Sequence, residues 1–184
     1  MSEEKLKLKL VPESDPILQE PTEPWDFKLD GDPTELVTAM GKVMMNPLHP
    51  GIGLSANQVG VQKSILIMGT DADLVVCINP VVEKLQGEKE IFLEGCLSFP
   101  DLWLHIKRHP EVVVSYQTLN GEWIKNQLLT GLRARVFLHE FDHLLGITFE
   151  QRVSSELGLR LAKQRRAKKQ RQRNKLLRKI ASPK

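Results

Sequence analysis

The stretch His139-Glu-Phe-Asp-His143 constrains this chain more than any other part of its sequence. The residues around it favour a helix, because no proline interrupts them, apolar residues recur at helical spacing and Gly146 stands where a helix would end. Two histidines four positions apart on a helix project from one face, so both imidazoles can reach one metal ion. Glu140 lies beside them, where a carboxylate could move protons on water. The simpler alternative is a buried helix whose histidines only form hydrogen bonds, so a third ligand is needed.

Cys96, in Glu94-Gly-Cys-Leu-Ser98, is the candidate third ligand. One thiolate and two imidazoles leave one position open on a tetrahedral ion, which is typical of a catalytic rather than a structural metal. This ligand set suits zinc or ferrous iron, and the spacing does not choose between them. Composition alone would favour an ordinary buried cysteine.

The composition predicts one globular domain, since 184 residues of which 41% are hydrophobic can form a substantial core. The N-terminus does not resemble a signal peptide, and no apolar run is long enough to span a bilayer. Two cysteines without a disulfide pattern favour a reducing cytosol.

The charge is divided unevenly along the chain. No acidic residue follows Glu156, whereas residues 157–184 contain 12 Lys and Arg, so the net charge of +3 conceals a body of formal charge −9. Such an asymmetry indicates a polyanionic partner or a solvated tail.

Local patterns predict a helix, several strands, the histidine helix and a tail helix. A helix start at Asp32-Pro-Thr-Glu35 precedes an apolar stripe. The strand-like segments are residues 64–68, 74–78 and 81–85, with a break expected at Asn79-Pro80, and residues 111–119 and 122–129, which form a hairpin around Asn120-Gly121. The sequence therefore predicts an α+β fold in which antiparallel strands pack around a central His-Glu-x-x-His helix, followed by a basic C-terminal helix.

Three separated stretches resemble, in order and spacing, the three motifs of the peptide deformylases: Gly51-Ile-Gly-Leu-Ser-Ala-Asn-Gln58, Glu94-Gly-Cys-Leu-Ser98 and His139-Glu-Phe-Asp-His143. The resemblance covers roughly residues 10 to 155, and three ordered motifs are far more specific than one. It implies a hydrolase that removes the formyl group from the N-terminal formyl-methionine of nascent polypeptides and releases formate. It also implies one divalent metal, Fe²⁺ in the cell with Zn²⁺, Ni²⁺ or Co²⁺ as alternatives. The implied location is the cytoplasm of a bacterium, or of the host for a phage protein.

The resemblance assigns a role to each motif residue. Cys96, His139 and His143 resemble the metal ligands. Glu140 resembles the general acid and base, which accepts a proton from the attacking water and passes it to the leaving amine. The side-chain amide of Gln58 and the backbone N–H of Leu97 resemble the donors that stabilise the oxyanion at the formyl carbon.

The substrate site is also assigned by resemblance. Gly53 resembles the loop glycine that the substrate backbone passes closely. The residues that match the family's apolar methionine pocket are Ile52, Phe92, Leu132 and Val136. Arg135 stands where we expect an apolar residue, so we expect it either to extend out of the pocket's edge or to change the pocket. Ser55 replaces an alanine common in the first motif, a change that we expect to be tolerated.

Residues 1–153 are expected to form the catalytic domain, and residues 154–184 a basic helical extension. Leu157, Leu161 and Ala162 could dock the first turns of this extension on the body. We expect the remainder either to be a solvated helix or to bind ribosomal RNA, as basic extensions of bacterial deformylases do. The expected partners are thus formyl-methionyl nascent peptides and the ribosome, with no membrane contact.

Two other functional classes stay open at this stage. A His-Glu-x-x-His metallopeptidase would cut internal peptide bonds, but Cys96 and the Gln58 loop argue against it, because such peptidases use a carboxylate or a third histidine as the third ligand. A ribosome-binding module with a structural metal would need neither Glu140 nor Gln58. Release of formate from a formyl-methionyl peptide separates all three hypotheses.

Overall fold

The computed structural model describes residues 6–70, 72–153 and 155–181. These residues form an α+β fold with antiparallel sheets and a C-terminal helix, which confirms the predicted fold class. The helices are α1 (Thr34–Met44), α2 (Gly131–Leu144) and α3 (Glu156–Ala181). The strands are β1 (Gly53–Ser55), β2 (Ile65–Met68), β3 (Val75–Gln86), β4 (Glu90–Cys96), β5 (Phe99–Arg108), β6 (Glu111–Gln117) and β7 (Trp123–Thr130).

The larger sheet has the strand order β1-β2-β3-β6-β7, and each neighbouring pair is antiparallel. Ile65 and Ile67 of β2 belong to a core cluster that includes α1. Leu66 and Met68 alternate with them and belong to a second cluster that includes α2. Because successive side chains of a strand point to opposite faces, α1 and α2 cover opposite faces of this sheet. A strand buried on both faces has to be apolar throughout, as β2 is.

The smaller sheet consists of β4 and β5 and is buried on one face only. Leu102, Leu104 and Ile106 alternate along β5 and pack against Phe149. Trp103, which lies between two of them, is exposed. Our sequence analysis assigned no strand to residues 99–108, where Pro100 obscured the alternation and Asp101 takes a left-handed backbone angle (φ 64°).

Helix α2 carries residues 139–143 and ends at Leu144, one residue after the second histidine. The N–H of Gly146 donates to the carbonyl oxygen of His143 at 3.0 Å, and Ile147 donates to Asp142 at 2.9 Å. Gly146 has φ 70°, and a Cβ there would lie 2.8 Å from the backbone of Gln19. Glycine is therefore required both by the turn and by the close packing of the N-terminal segment.

The predicted break at Asn79-Pro80 is wrong, because β3 continues through these residues. The strand accommodates them with a shift in its pairing with β6 between Ile78 and Val81, and Asn79 adopts φ 50°. The Asn79 side chain accepts a hydrogen bond from Trp25 N–H at 2.7 Å and donates to the Trp25 carbonyl at 2.9 Å. The signal taken for a turn thus marks a bulge that anchors the N-terminal segment.

Helix α3 docks on the smaller sheet in a different register from the one predicted. Leu159 and Ala162 pack against its core, whereas Leu157 and Leu161 are 54% and 42% exposed. The predicted use of these two leucines is therefore wrong, while that of Ala162 is confirmed. No helix in the described part of the chain combines the length and the apolarity needed to cross a membrane.

One side of α3 is paired with acidic residues of the body. The ion pairs, with their N–O distances, are Lys163–Glu150 at 3.0 Å, Lys169–Asp101 at 2.7 Å, Arg173–Asp101 at 3.8 Å and the pair Arg166–Glu13. The basic residues of α3 thus have two environments, one facing the acidic body and one facing solvent. Ser154, at the predicted domain boundary, lies outside the described residues, and the division at 153/154 stays a prediction.

Candidate metal centre and active site

The structure brings Cys96, His139 and His143 together, with their potential ligand atoms all within 4.8 Å of one another. Cys96 ends β4, where the pairing with β5 shifts after Gly95, and both histidines lie on α2. Sγ of Cys96 lies 3.2 Å from Nε2 of His143. One sulfur and two imidazole nitrogens around one point form a possible metal site with room for a further ligand.

The hydrogen bonds of the two histidines fit a bound cation. Nδ1 of His139 lies 2.9 Å from Oε2 of Glu94, so this nitrogen donates to the carboxylate and Nε2 is left as the ligand atom. His143 directs Nε2 towards Cys96, while its buried Nδ1 has no partner among the described residues. Both rings therefore present the same nitrogen to the site.

Glu94 is a functional candidate that sequence reasoning missed. Its Oε1 accepts hydrogen bonds from Nε of Arg108 at 2.8 Å and from Arg135 at 2.7 Å. Its Oε2 accepts from Arg108 at 3.1 Å, in addition to His139. The carboxylate is thus saturated by donors and buried, and it holds the His139 ring in a fixed orientation.

Of the two alternatives for Arg135, extension out of the pocket's edge is wrong, because the side chain points into the protein. It is buried, pairs with Glu94, and also donates to the backbone carbonyls of Ile106 at 3.2 Å and Glu90 at 3.0 Å. A guanidinium at this position of α2 supplies fixed donors to Glu94 and to both strands of the smaller sheet, and it lies outside the cavity lining described below.

Asp142 extends this ionic cluster. Its carboxylate accepts from Arg108 at 2.6 Å and from Nε of Arg152 at 3.0 Å, and Arg108 also donates to the carbonyl oxygen of Leu138. The cluster therefore links β4, β5, α2 and the short 3₁₀ helix Phe149–Arg152. Through Arg108, which also holds Glu94, Asp142 supports the groups around the metal site.

Without metal, the pKa values of the two histidines shift in opposite directions. Burial would lower the pKa of His139, but Cys96 and Glu94 outweigh it and raise that pKa to about 10. Burial and the positive charges of His139 and Arg108 lower the pKa of His143 well below its usual range. Burial would raise the pKa of Glu94, but donors from His139 and Arg108 bring it to about 2. A cation would therefore have to displace a proton from His139, and its binding should weaken as pH falls.

Glu140 lies on the same turn of α2 and is buried, which raises the pKa of its carboxyl group. The hydroxyl of Ser55 lies 2.8 Å from its Oε2 and 2.8 Å from its backbone oxygen. A Cβ on Gly53 would lie 2.5 Å from Oε1 of Glu140 and 2.8 Å from Cγ1 of Val136. Gly53 is therefore needed for Glu140 itself, a reason that the sequence did not reveal.

The amide group of Gln58 has a defined orientation. Its Oε1 accepts the backbone N–H of Ser55 at 2.8 Å, so Nε2 points the other way, to Ser98 Oγ at 3.0 Å and Cys96 Sγ at 3.5 Å. Leu97 follows Cys96 in the turn between β4 and β5, and its side chain packs on Gly51, where a Cβ would come within 2.6 Å. The amide donors of Gln58 thus lie at the metal site.

An apolar cavity of about 180 Å³ lies beside this site. Three residues expected in the methionine pocket line it, namely Ile52, Leu132 and Val136, and further lining comes from Met68, Gly69, Thr70, Asp73, Val75 and Arg133. Phe92 is not among them; it is 56% exposed, and its ring centroid lies 5.2 Å from Cζ of Arg135. Met68 and Val75 were not foreseen, because only the pairing of β2 with β3 brings them to α2.

Comparisons with known proteins show which family this chain resembles. The family model described as Polypeptide deformylase matches residues 7–157. The peptide deformylase of Thermotoga petrophila is 36% identical over 149 residues, which are 81% of this chain and 88% of the relative. A crystal structure of a peptide deformylase from Synechococcus elongatus in complex with actinonin superposes with a TM-score of 0.80 at 33% identity, covering 89% of this chain and 90% of that one.

A further structure is that of the class I type b peptide deformylase from Acinetobacter baumannii with Met-Ala-Ser bound. It has a TM-score of 0.73 and 29% identity, and covers 81% of this chain and 99% of that one. The family match and the identity over most of both chains lead to one conclusion: this chain belongs to the peptide deformylase family.

Proposed function

We propose that this chain is the enzyme that its family membership implies, hydrolysing the N-formyl group of formyl-methionyl nascent peptides and releasing formate. The observation that carries the proposal is the convergence of Cys96, His139 and His143 beside a buried glutamate and an apolar cavity. A bound Met-Ala-Ser peptide in the Acinetobacter baumannii relative has the sequence of a deformylated product.

Cys96, His139 and His143 would hold the divalent metal, Fe²⁺ in the cell by family resemblance. When bound, this ion supplies Lewis-acid chemistry, polarising the formyl oxygen and acidifying water. Glu140 accepts the proton of the attacking water and transfers it to the leaving amine. Burial raises the pKa of its carboxyl group, which suits a group that has to take up and release a proton.

The oxyanion that develops on the formyl oxygen needs donors that are already in place. We assign Nε2 of Gln58 and the backbone N–H of Leu97 to this role. The bond from Ser55 N–H to Oε1 of Gln58 supports the assignment, since it prevents the amide from turning its oxygen towards the substrate.

The substrate would lie as an extended chain between two strands with free edges. In the described part of the chain, β1 pairs only with β2, and β4 only with β5. Such edges offer backbone donors and acceptors to a peptide. The methionine side chain would then enter the cavity of Ile52, Leu132 and Val136, with Gly53 giving the peptide backbone room to pass. Phe92, which is exposed and does not line the cavity, would contact the substrate only outside the cavity.

Several finer assignments belong to the same proposal. We take α2 as the central helix around which both sheets are arranged, and residues 1–153 as the catalytic unit. A ligand thiolate requires a reducing environment, which favours the cytoplasm.

We further propose that the basic extension binds ribosomal RNA. On α3, the side chains of Arg160, Arg165, Lys168, Arg171, Lys175 and Arg178 are exposed, and no ion pair with the described residues engages them. The test is co-sedimentation with ribosomes over a salt series, comparing the full chain with a chain ending at Ser155. A control replaces Arg165, Lys168 and Arg171 by Gln and leaves the docking residues intact. Loss of salt-sensitive binding in both variants is expected; equal binding by all three proteins would exclude the extension as the binding element.

The catalytic proposal is tested by anaerobic purification, metal analysis and formate release from formyl-Met-Ala-Ser. The wild type should hold about one metal per chain and release formate. Glu140→Ala should keep the metal and lose turnover, whereas Cys96→Ser should lose metal as well. A metal-loaded wild type that cleaves internal peptide bonds and releases no formate would establish a metallopeptidase instead.

A further inference from the structure

Trp103 occupies an unusual position next to the metal site. It lies on β5 opposite Gly95 of β4, the residue that precedes Cys96. A Cβ built on Gly95 would lie 3.2–3.3 Å from three atoms of the Trp103 six-membered ring. The indole therefore rests flat on the glycine, on the outer face of the smaller sheet, and it is nevertheless 58% exposed.

Gly95 allows the indole to extend across β4 towards its free edge. A Cβ at position 95 would press on the ring at 3.2–3.3 Å, so any other residue would push the indole away from β4. Leu93, two positions earlier on β4 and thus on the same face, is 45% exposed. Trp103 and Leu93 together form an apolar surface, here called the outer shelf, beside the edge along which an extended substrate would run.

The direction of substrate side chains follows from strand geometry. Successive side chains of an extended peptide point to opposite faces. The cavity expected to receive the methionine is lined by α2 residues, and Glu94 of β4 faces α2. The next side chain of the peptide would therefore point to the opposite face of β4, where Trp103 and Leu93 lie.

We propose that the outer shelf binds the side chain of the residue that follows formyl-methionine, and that it gives this enzyme a preference for a large apolar or aromatic residue there. The inference rests on the proposed deformylase function. An exposed aromatic side chain that is already held in place loses little conformational entropy when a second apolar group packs on it.

The test compares kcat/KM for formate release from formyl-Met-X-Ser peptides in which X is Phe, Leu, Ala or Asp. The wild type should prefer Phe over Ala by about 10-fold, mainly through a lower KM. Trp103→Ala should reduce this ratio to about 1, and Trp103→Phe should restore most of it. Trp123→Ala is the matched control, because Trp123 is similarly exposed (47%) but lies on β7, at the far edge of the larger sheet from β1. Its ratio should equal that of the wild type.

The outcomes separate the two proposals. If no peptide releases formate from the metal-loaded wild type, the deformylase function fails. If formate is released but the Phe/Ala ratio is about 1 in the wild type, or is unchanged by Trp103→Ala, the outer shelf is refuted and the deformylase function stands. Metal content and thermal unfolding of each variant identify a misfolded protein, and Trp103→Phe then provides the decisive comparison.

Discussion

Nδ1 of His139 donates to Oε2 of Glu94 over 2.9 Å, in a carboxylate that also receives three hydrogen bonds from two buried arginines. The carboxylate cannot rotate without breaking several of these bonds. It therefore holds the proton on Nδ1 of His139, so that Nε2 is the nitrogen left for the cation once its own proton is displaced.

We predict that Glu94→Gln weakens metal binding by about 10- to 100-fold, because an amide accepts less strongly from the imidazole and leaves arginine charge uncompensated. Competition with a chelator measures the affinity. Glu90→Gln is the matched control, since Glu90 lies on the same strand with an exposed side chain. Equal affinities of the two variants would contradict the role given to Glu94.

The same carboxylate makes the stability of the metal-free protein depend on pH. The pKa of Glu94 is about 2 in the folded protein, below its ordinary value of 4.5, so unfolding takes up a proton in acid. The stability that Glu94 contributes is complete above about pH 4.5 and is lost as the pH falls towards 2. Urea unfolding at several pH values should show a shallower decline for Glu94→Gln than for the wild type. Parallel curves would show that Glu94 does not contribute to the pH dependence of the stability.

Arg135→Met should destabilise the protein by about 3–5 kcal/mol, because it removes one partner of a buried ion pair and leaves two backbone carbonyls without their donor. Arg133→Met is the control. Arg133 pairs with Asp73 at the surface, and its side chain is 59% exposed, so the loss should be about 1 kcal/mol or less. Denaturant unfolding measures both. A similar small effect for the two variants would argue that Arg135 is not structural.

Gly53→Ala should lower kcat by about 100-fold with little loss of metal, because the added Cβ displaces the Glu140 carboxylate while the ligand atoms stay in place. Gly158→Ala serves for comparison. A Cβ at Gly158 on α3 would meet only Ser155 at 3.5 Å, and alanine favours helix. Formate release and metal content are measured on both proteins, and a fully active Gly53→Ala would refute the crowding argument.

The sequence predicted those elements whose signals are local. α1, the hairpin around Asn120-Gly121 and the helical segment before Gly146 follow from capping, turn chemistry and periodicity. β5 was missed although its burial alternates, because Pro100 interrupts the apolar pattern near its start. The break expected at Asn79 was wrong because the side chain that usually favours a turn instead holds Trp25 across the sheet.

The active site likewise contains residues that local sequence patterns predicted and residues that they did not. The ligand residues and Glu140 could be found because their spacing on one helix carries chemical meaning. Glu94 is within the motif of Cys96, but nothing local indicates that its carboxylate meets a histidine 45 positions later. Arg135 was misjudged for the same reason, since its partners are on strands that the helix meets only after folding.

The ionic cluster of Glu94, Arg108, Arg135, Asp142 and Arg152 has a consequence for how the protein assembles. Its members come from two strands, a helix and a 3₁₀ turn, and each of the buried charges is compensated only when the other elements are present. A chain in which the smaller sheet had separated from α2 would leave these charges without their partners. Such a partly folded form is therefore less stable. The three ligand residues come from β4 and α2, so docking of the smaller sheet on α2 both compensates these charges and brings the ligands together.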